Sequence, residues 1–415
     1  DDNEKLLGEK YRLSGGSIQW GQELIGLEQK SDHVIASLKK ADGSNSEIRA
    51  NWVAGCDGGK SSVRQLNGID FVGAPYEQVF FVADTIAQGA MVPNRLNVYM
   101  WKNGFHLFFP LRGENHWRIV GILPVELRHK DDLKFEAVVP YITQVAGTSL
   151  AFKECKWFST YRIHHRRAAK FKNGRCFLLG DAAHVHSPVG GQGMNTGLQD
   201  AYNLAWKLAL VISGRADENL LDTYEQERIP IADRLLKTTD QAFKAIVSDG
   251  WLAKMFRTQI YPKIIALVMR HSRVRRLAFD TVSQLGIHYP NTSLSQNLNG
   301  LGSKSPRAGD RFPWLHLKFS LGSAAEDVFK KFGDSNFTLV TFGQTSPIQL
   351  ADNYGELIGV FQIPEDPANS SELRRVNIPN QSFYLIRPDG YIGLTGSVLS
   401  NEVLEKYLKD RMALN

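Results

Sequence analysis

The stretch 174–214, GRCFLLGDAAHVHSPVGGQGMNTGLQDAYNLAWKLALVISG, constrains the fold of this chain more than any other. Residues 175–179 form a short apolar run with the length and composition of a buried strand. The run ends in Gly180 and Asp181, so a carboxylate stands at the strand's C-terminal end. A loop with Pro188, Gly190, Gly191 and Gly193 follows. Glycines there let backbone N–H groups approach a ligand and take positive φ. Beyond the loop Met194, Leu198, Ala201, Ala205, Leu208, Ala209 and Ile212 recur at helical spacing. That pattern predicts an amphipathic helix buried along this stripe, with Gly214 as its C′ residue. Strand, loop and helix make one α/β unit, with the positive end of the helix dipole turned toward the loop.

Such a unit suits a ligand with a hydroxylated chain and an anionic end. Asp181 is placed to accept hydrogen bonds from hydroxyl groups. The N–H groups near Gly193 and Met194 are placed to stabilise negative charge. The plainer reading is a turn of an α/β domain with a solvated Asp, and this stretch alone leaves both open.

A second segment points the same way. Trp52, Val53 and Ala54 read as a strand, and GCDGGKSSVR (55–64) as a turn into a helix capped by Ser61. Standing alone, Asp57-Gly58 is an ordinary tight turn. Taken together, GDAAHVHSPVGGQGMNTGLQDAYNLAWKLA and GCDGGKSSVR resemble the second FAD motif and the "DG" motif of the single-component flavoprotein monooxygenases, the p-hydroxybenzoate hydroxylase and phenol hydroxylase class. The resemblance implies that Gly180 and Asp181 meet the ribityl chain of FAD. It implies that Pro188, Gly190, Gly191, Gly193, Met194 and Asn195 lie against the isoalloxazine. It sets Asp57, Gly58 and Arg64 on the pyrophosphate side and along the NAD(P)H path. The implied activity is hydroxylation of a phenolic or other aromatic ring with NAD(P)H and O₂ through a flavin C4a-hydroperoxide. The flavin does the chemistry, so no side chain is assigned a certain catalytic role.

The rest of the chain fits an α/β (α+β overall) architecture. Segments 79–84, 96–100, 105–110 and 117–123 read as strands, with turns at Asn103-Gly104 and 112–115. They predict an antiparallel substrate-binding sheet over 67–165, inserted between the two parts of the FAD-binding domain (1–66 and 166–290). By alternation His106 and Phe108 share one face, and Phe105, Leu107 and Phe109 the other. Segments 22–27 and 34–39, with a turn at 41–45, read as a hairpin. The run Tyr161-Arg162-Ile163-His164-His165-Arg166-Arg167 reads as a solvated face, the alternative being that Arg166 or Arg167 positions an anionic group. Glu225, Glu227 and Arg228 read as structural ion pairing, and 240–290 as mostly helical. A stretch at 291–311, rich in Ser, Asn, Gly and Pro, reads as a linker. RAGDRFPW and LIRPDGYIGL carry a resemblance to the thioredoxin-like domain of the phenol hydroxylase branch over 312–415. With no cysteine there, dithiol chemistry is excluded and packing or homodimerisation is the role left.

Composition adds bounds. At 415 residues the chain holds two or three domains. Cys56, Cys155 and Cys176 lie far apart without ligand spacing, which suits a reducing cytoplasm and predicts neither disulfide framework nor metal site. A net charge of +6 without a long basic run suits anionic cofactors better than nucleic acid, and no apolar run is long enough for a membrane span. The chain contains no GxGxxG, the fingerprint of the family's first βαβ unit. From that follows an expectation of an open sheet edge and of weak or no FAD binding by this chain alone. Two alternatives therefore stay open: a related epoxidase or tailoring oxygenase, and a non-catalytic remnant.

Overall fold

The computed structural model describes residues 2–414 except 90, 102–103, 131, 147–149, 188–190, 248–249, 251–254, 256–258, 334 and 346–353. Two compact units emerge. The first comprises Asp1–Asp70 with Ala168–Ala183, the second Phe71–Arg167 with His184–Asn415.

The first unit begins with helix α1 (Asp2–Leu13), which the sequence reading did not anticipate. Strands β1 (Gln22–Gln29), β2 (Val34–Lys40) and β3 (Asn45–Ala50) form an antiparallel meander. The hairpin expected from 22–27 and 34–39 is present, but the turn at 41–45 lies beyond it and leads into the third strand. Asp42 organises that turn by accepting from the Ser44 N–H at 2.9 Å, and Gly43 takes φ +84°. A second sheet has the order β10 (Lys172–Asn173), β11 (Cys176–Leu178), β4 (Val53–Gly55). Strands β11 and β4 are parallel, with Leu178 opposite Gly55. Gln29 ties the meander to this sheet, donating to Asn67 at 2.7 Å and accepting from the Arg175 N–H at 2.8 Å.

The second unit is built on a six-stranded sheet: β12 (His184–Val185), β9 (Ala151–Ala168), β5 (Phe71–Gln88), β8 (His116–Ile122), β7 (Gly104–Pro110), β6 (Asn97–Trp101). The four expected strands are all present, and the pairs β5–β8, β8–β7 and β7–β6 are antiparallel. Asn103 of the expected turn lies outside the described residues. Alternation separates two cores. Phe81, Phe108 and Trp117 pack toward helix α3 (Val139–Ala146) through Ile142, whereas Phe80, Phe105 and Leu107 pack against Phe243. The basic run at 161–167 lies on β9, and residues 164–167 are half-buried rather than a solvated face. Arg167 donates to Asp233 at 2.6 Å.

Helices α4 (Gly193–Ile212) and α5 (Asp222–Val247) follow, then α6 (Tyr261–Val268) and α7 (Ser272–Val282). The boundaries of α4 match the expectation, including Gly214 just past its end at φ +71°. Its buried face does not. Met194, Leu198 and Ile212 are exposed, while Thr196, Asp200, Asn203, Leu204, Trp206, Lys207 and Leu210 are buried. The period is helical as expected, but the helix buries its polar flank, because partners from elsewhere in the chain satisfy it.

Those partners come from α5 and the C-terminal domain. That domain holds β13 (Gln296–Asn297), a small ladder of β14 (His316–Leu317) and β15 (Glu326–Asp327), and helices α8 (Val328–Lys331), α9 (Pro367–Arg375) and α10 (Asn401–Asp410). Strands β16 (Phe337–Phe342), β17 (Ile358–Ile363), β18 (Ser382–Ile386) and β19 (Ile392–Gly396) give a sheet ordered β13-β19-β18-β16-β17. Within this sheet β16–β17 and β13–β19 are parallel and β16–β18 and β18–β19 antiparallel, so β16 to β19 have the arrangement of a thioredoxin-like sheet. The stretch 291–311 does more than connect. It supplies β13 and a fully buried Leu294.

Lys207 and Arg387 both reach Glu227, and Arg387 also holds Asp389. Asn203 donates to Glu227 at 2.7 Å, and the Trp206 indole donates to Asp389 at 3.1 Å. All four charged groups are almost wholly buried, and they balance two against two. Burial pulls the Lys207 ammonium down to about 8, with Glu227 opposing. Burial also opposes the charge on Glu227, yet Arg387 and Lys207 outweigh it and hold that carboxyl below its ordinary value. The ion-pairing role expected for Glu227 is thereby met, with partners that sequence proximity does not reveal. No helix among the described residues is long and apolar enough to cross a membrane.

Candidate functional site

In the first unit, β4 and β11 run side by side in parallel, and a loop leaves the carboxyl end of each. In open α/β sheets that edge is where ligands bind. Gly55 ends β4 with no room for a side chain, since a Cβ would lie 2.8 Å from Val63 and 3.2 Å from Leu178. This close approach lets helix α2 (Ser62–Leu66) start at once. Asp57 accepts from the Val63 N–H at 3.0 Å, and the Ser61 hydroxyl caps the helix by accepting from Arg64 N–H at 2.9 Å. Gly58 turns the loop at φ +78°, with open space around it.

The second loop leaves β11 through a turn at Gly180–Ala182, with Gly180 at φ +55° and the Asp181 side chain exposed. Arg64 joins the two loops. Its guanidinium is buried and donates to the Ala182 carbonyl at 2.9 Å and the Gly59 carbonyl at 2.8 Å. Two motifs separated by more than a hundred residues therefore meet at one sheet edge. Arg64, expected as a cofactor contact, braces the loops with these donors.

In the second unit, the N-cap residue of α4, Gln192, makes no side-chain capping bond among the described residues, and the first turn holds no acidic residue. The Thr196 N–H bonds back to Gln192 at 3.0 Å, which leaves the N–H groups of Gly193, Met194 and Asn195 as the first of the helix. Gly191 takes φ +62° in open space. A Cβ at Gly193 would lie 3.3 Å from His186 Nε2. Met194 is 65% exposed. Pro188 and Gly190 lie outside the described residues.

FAD presents hydroxyls on its ribityl chain and an oxygen-rich pyrimidine edge. An exposed carboxylate at Asp181 supplies an acceptor for the former. The N-terminal end of a 20-residue helix supplies donors and a positive dipole for the latter. Each unit by itself thus offers groups whose chemistry fits one part of the cofactor. Sequence reading missed Asp200, Asn203 and Lys207, which lie on one face of α4 at helical spacing; three polar residues in register on a predicted helix were the available signal.

Comparison with known proteins agrees. A model of the FAD binding domain family matches residues 1–239. The 6-methylpretetramide 4-monooxygenase of Streptomyces rimosus is 30% identical over 419 residues, covering 95% of this chain and 72% of that protein. The uncharacterized aromatic compound monooxygenase YhjG of Bacillus subtilis is 30% identical over 393 residues, covering 94% and 73%. The structure of OxyS anhydrotetracycline hydroxylase from Streptomyces rimosus superposes with a TM-score of 0.76 at 27% identity, covering 99% of this chain and 79% of that one. The chain belongs to the FAD-binding-domain family of flavin-dependent aromatic monooxygenases, oxidoreductases that use FAD with NAD(P)H as co-substrate.

Proposed function

We propose that this chain hydroxylates a phenolic ring, with FAD held by Asp57, Gly58, Gly180, Asp181, Pro188, Gly190, Gly191, Gly193, Met194 and Asn195, and with Arg64 bracing the loops. The observation that carries the reading is the pair of loops at the carboxyl ends of β4 and β11, drawn together by Arg64. FAD, when bound, supplies the redox chemistry and the activation of O₂.

The chain's own residues bind and orient. The Asp181 carboxylate accepts from ribityl hydroxyls. The Gly193, Met194 and Asn195 N–H groups donate to oxygen at the pyrimidine edge and stabilise charge developing there. The glycines keep side chains out of the way of a flat ring system. The six-stranded sheet offers the substrate an apolar, water-excluding wall, for which the Phe80, Phe105 and Leu107 face is our assignment. NAD(P)H docks transiently, because no separate nicotinamide domain is needed in this reading. We place the protein in the cytoplasm, on the support that none of its three cysteines is in a disulfide. A homodimer through the C-terminal domain is the assembly we would test first by light scattering.

Equilibrium titration with FAD, read by flavin fluorescence, tests the site. Asp181→Ala is expected to weaken binding by roughly tenfold or more, the loss of a charge-assisted hydrogen bond. Unchanged affinity would remove Asp181 from the site.

A further inference from the structure

We propose that Asp200 and Arg228 are positioning residues that staple the two ends of the glycine loop, and that the C-terminal domain shares in holding it. The proposal rests on the reading of that loop as flavin-contacting, and all of its residues lie in the second unit.

Asp200 sits two turns into α4 and is fully buried. One carboxylate oxygen meets His184 Nε2 at 2.8 Å, and the other accepts from Arg228 Nε at 2.6 Å. His184 lies in β12, immediately before the loop. Arg228 Nη2 donates to the Thr196 carbonyl at 3.2 Å, in the first turn of α4 immediately after the loop. One ion pair therefore fixes the residue where the loop leaves the sheet and the turn where it enters the helix. Gln284 reinforces the second anchor, donating to the Thr196 hydroxyl and to the Gln192 carbonyl.

Stability alone does not explain the arrangement. Burying a carboxylate and a guanidinium costs desolvation about as large as their attraction returns, and apolar residues of the same size often serve as well. What an apolar pair cannot do is specify direction. The guanidinium is a rigid fork, and here its three nitrogens address three acceptors, Asp200, Thr196 and the Tyr289 hydroxyl at 2.8 Å. Two of the acceptors lie on successive turns of α4 and the third, Tyr289, in the segment after α7, so the fork sets the start of α4 against that segment.

The third arm leads to the C-terminal domain. Tyr289 packs on Tyr391 of the thioredoxin-like domain with ring centroids 4.5 Å apart. Glu227, adjacent to Arg228 on α5, is clasped by Arg387 of the same domain. Two contacts thus connect the turn at Arg387–Gly390 to the anchors of the glycine loop: the Tyr289–Tyr391 ring contact, and α5, which carries Glu227 and Arg228 side by side. This gives the C-terminal domain, which lacks cysteine, a task in the monooxygenase: it buttresses the helix end that meets the flavin.

The test uses the full chain, first without flavin. The double variant Asp200→Leu/Arg228→Met removes the pair while keeping apolar packing, and Arg228→Lys keeps the charge but cannot span three acceptors. Hydrogen exchange of the segment 185–196 is followed by mass spectrometry, with strand Phe337–Phe342 as internal reference. Exchange in 185–196 is expected to rise by about tenfold or more in both variants, with the reference unchanged. Arg387→Met is expected to raise it by less. Should the double variant not fold, Arg228→Lys carries the decision alone. Wild-type exchange at 185–196 in a folded variant would overturn the proposal.

FAD titration and the visible spectrum of bound flavin then separate the two readings. Faster exchange with weakened, spectrally altered flavin supports the staple and the flavin assignment together. Faster exchange with wild-type flavin binding supports the staple and counts against the loop as a flavin contact. As a control, Arg215→Ala at the surface pair with Glu356 is expected to leave both readouts at wild-type values.

Discussion

Acid sensitivity should concentrate at one histidine in the antiparallel sheet. His106 is fully buried, and neither ring nitrogen has a hydrogen-bond partner among the described residues. It stacks against Trp101 at 5.6 Å and faces Phe81 at 5.6 Å. Gly121 opposite leaves the room it needs, since a Cβ there would fall 2.2 Å from Nδ1. Burial alone pushes the imidazole from 6.5 down to about 3. The folded state therefore binds fewer protons than the unfolded state between those limits, and stability falls as the pH drops below 6.5. A shift from 6.5 to about 3 amounts to about 5 kcal/mol once both limits are passed, and to about 2 kcal/mol at pH 5. His106→Phe keeps a ring beside Trp101 and removes the titration. Urea unfolding at pH 7 and pH 5 measures the loss in each protein, and the difference between the losses isolates His106 from carboxylates common to both. The variant's loss should be smaller by about 2 kcal/mol. Equal losses, or an imidazole proton resonance in the wild type that titrates near the ordinary histidine value, would refute the reasoning.

Other perturbations follow from the same packing. Gly121→Ala must displace His106 and Phe81, a steric clash expected to cost about 1–3 kcal/mol in chemical denaturation. Glu227→Gln leaves Lys207 and Arg387 facing each other without their shared carboxylate, and calorimetry should show a loss of about 3–5 kcal/mol. Ser61→Ala removes the cap on α2 and should cost about 1 kcal/mol. Burial raises Tyr384 to about 12 and raises Tyr76, Tyr391 and Tyr407 as well, so their neutral forms favour the fold up to the ordinary tyrosine value of 10.0. Stability should then decline as the pH rises past 10, and tyrosinate absorbance should appear together with unfolding rather than before it.

Much of the candidate site was legible in the sequence because its signals are local. A cap such as Ser61, a positive-φ glycine such as Gly58, and a strand ending in Gly180-Asp181 act within a few residues. The resemblance of two short motifs then identified FAD as the cofactor and the class of reaction. Less was legible where a local pattern had several solutions. The turn at 41–45 was recognised but assigned to the wrong strand pair, since a turn signal does not say which strands it joins. The basic run at 161–167 looked solvated, yet its alternation belongs to a strand with both flanks partly covered.

By itself the sequence determined the four strands of the inserted sheet, the helical period of α4, and the chemistry available at the two loops. Tertiary structure alone decided which faces those elements bury. On α4 the apolar stripe of Met194, Leu198 and Ile212 faces outward, and Asp200, Asn203 and Lys207 face inward. Hydrophobicity orients a helix only while burial of its polar flank goes uncompensated. Here Arg228, Glu227 and Asp389 provide the compensation, and Asp389 lies 186 residues from Asn203 along the chain. Side chains so distant in sequence leave no periodic trace of their pairing, so only the folded chain can bring their charges into balance.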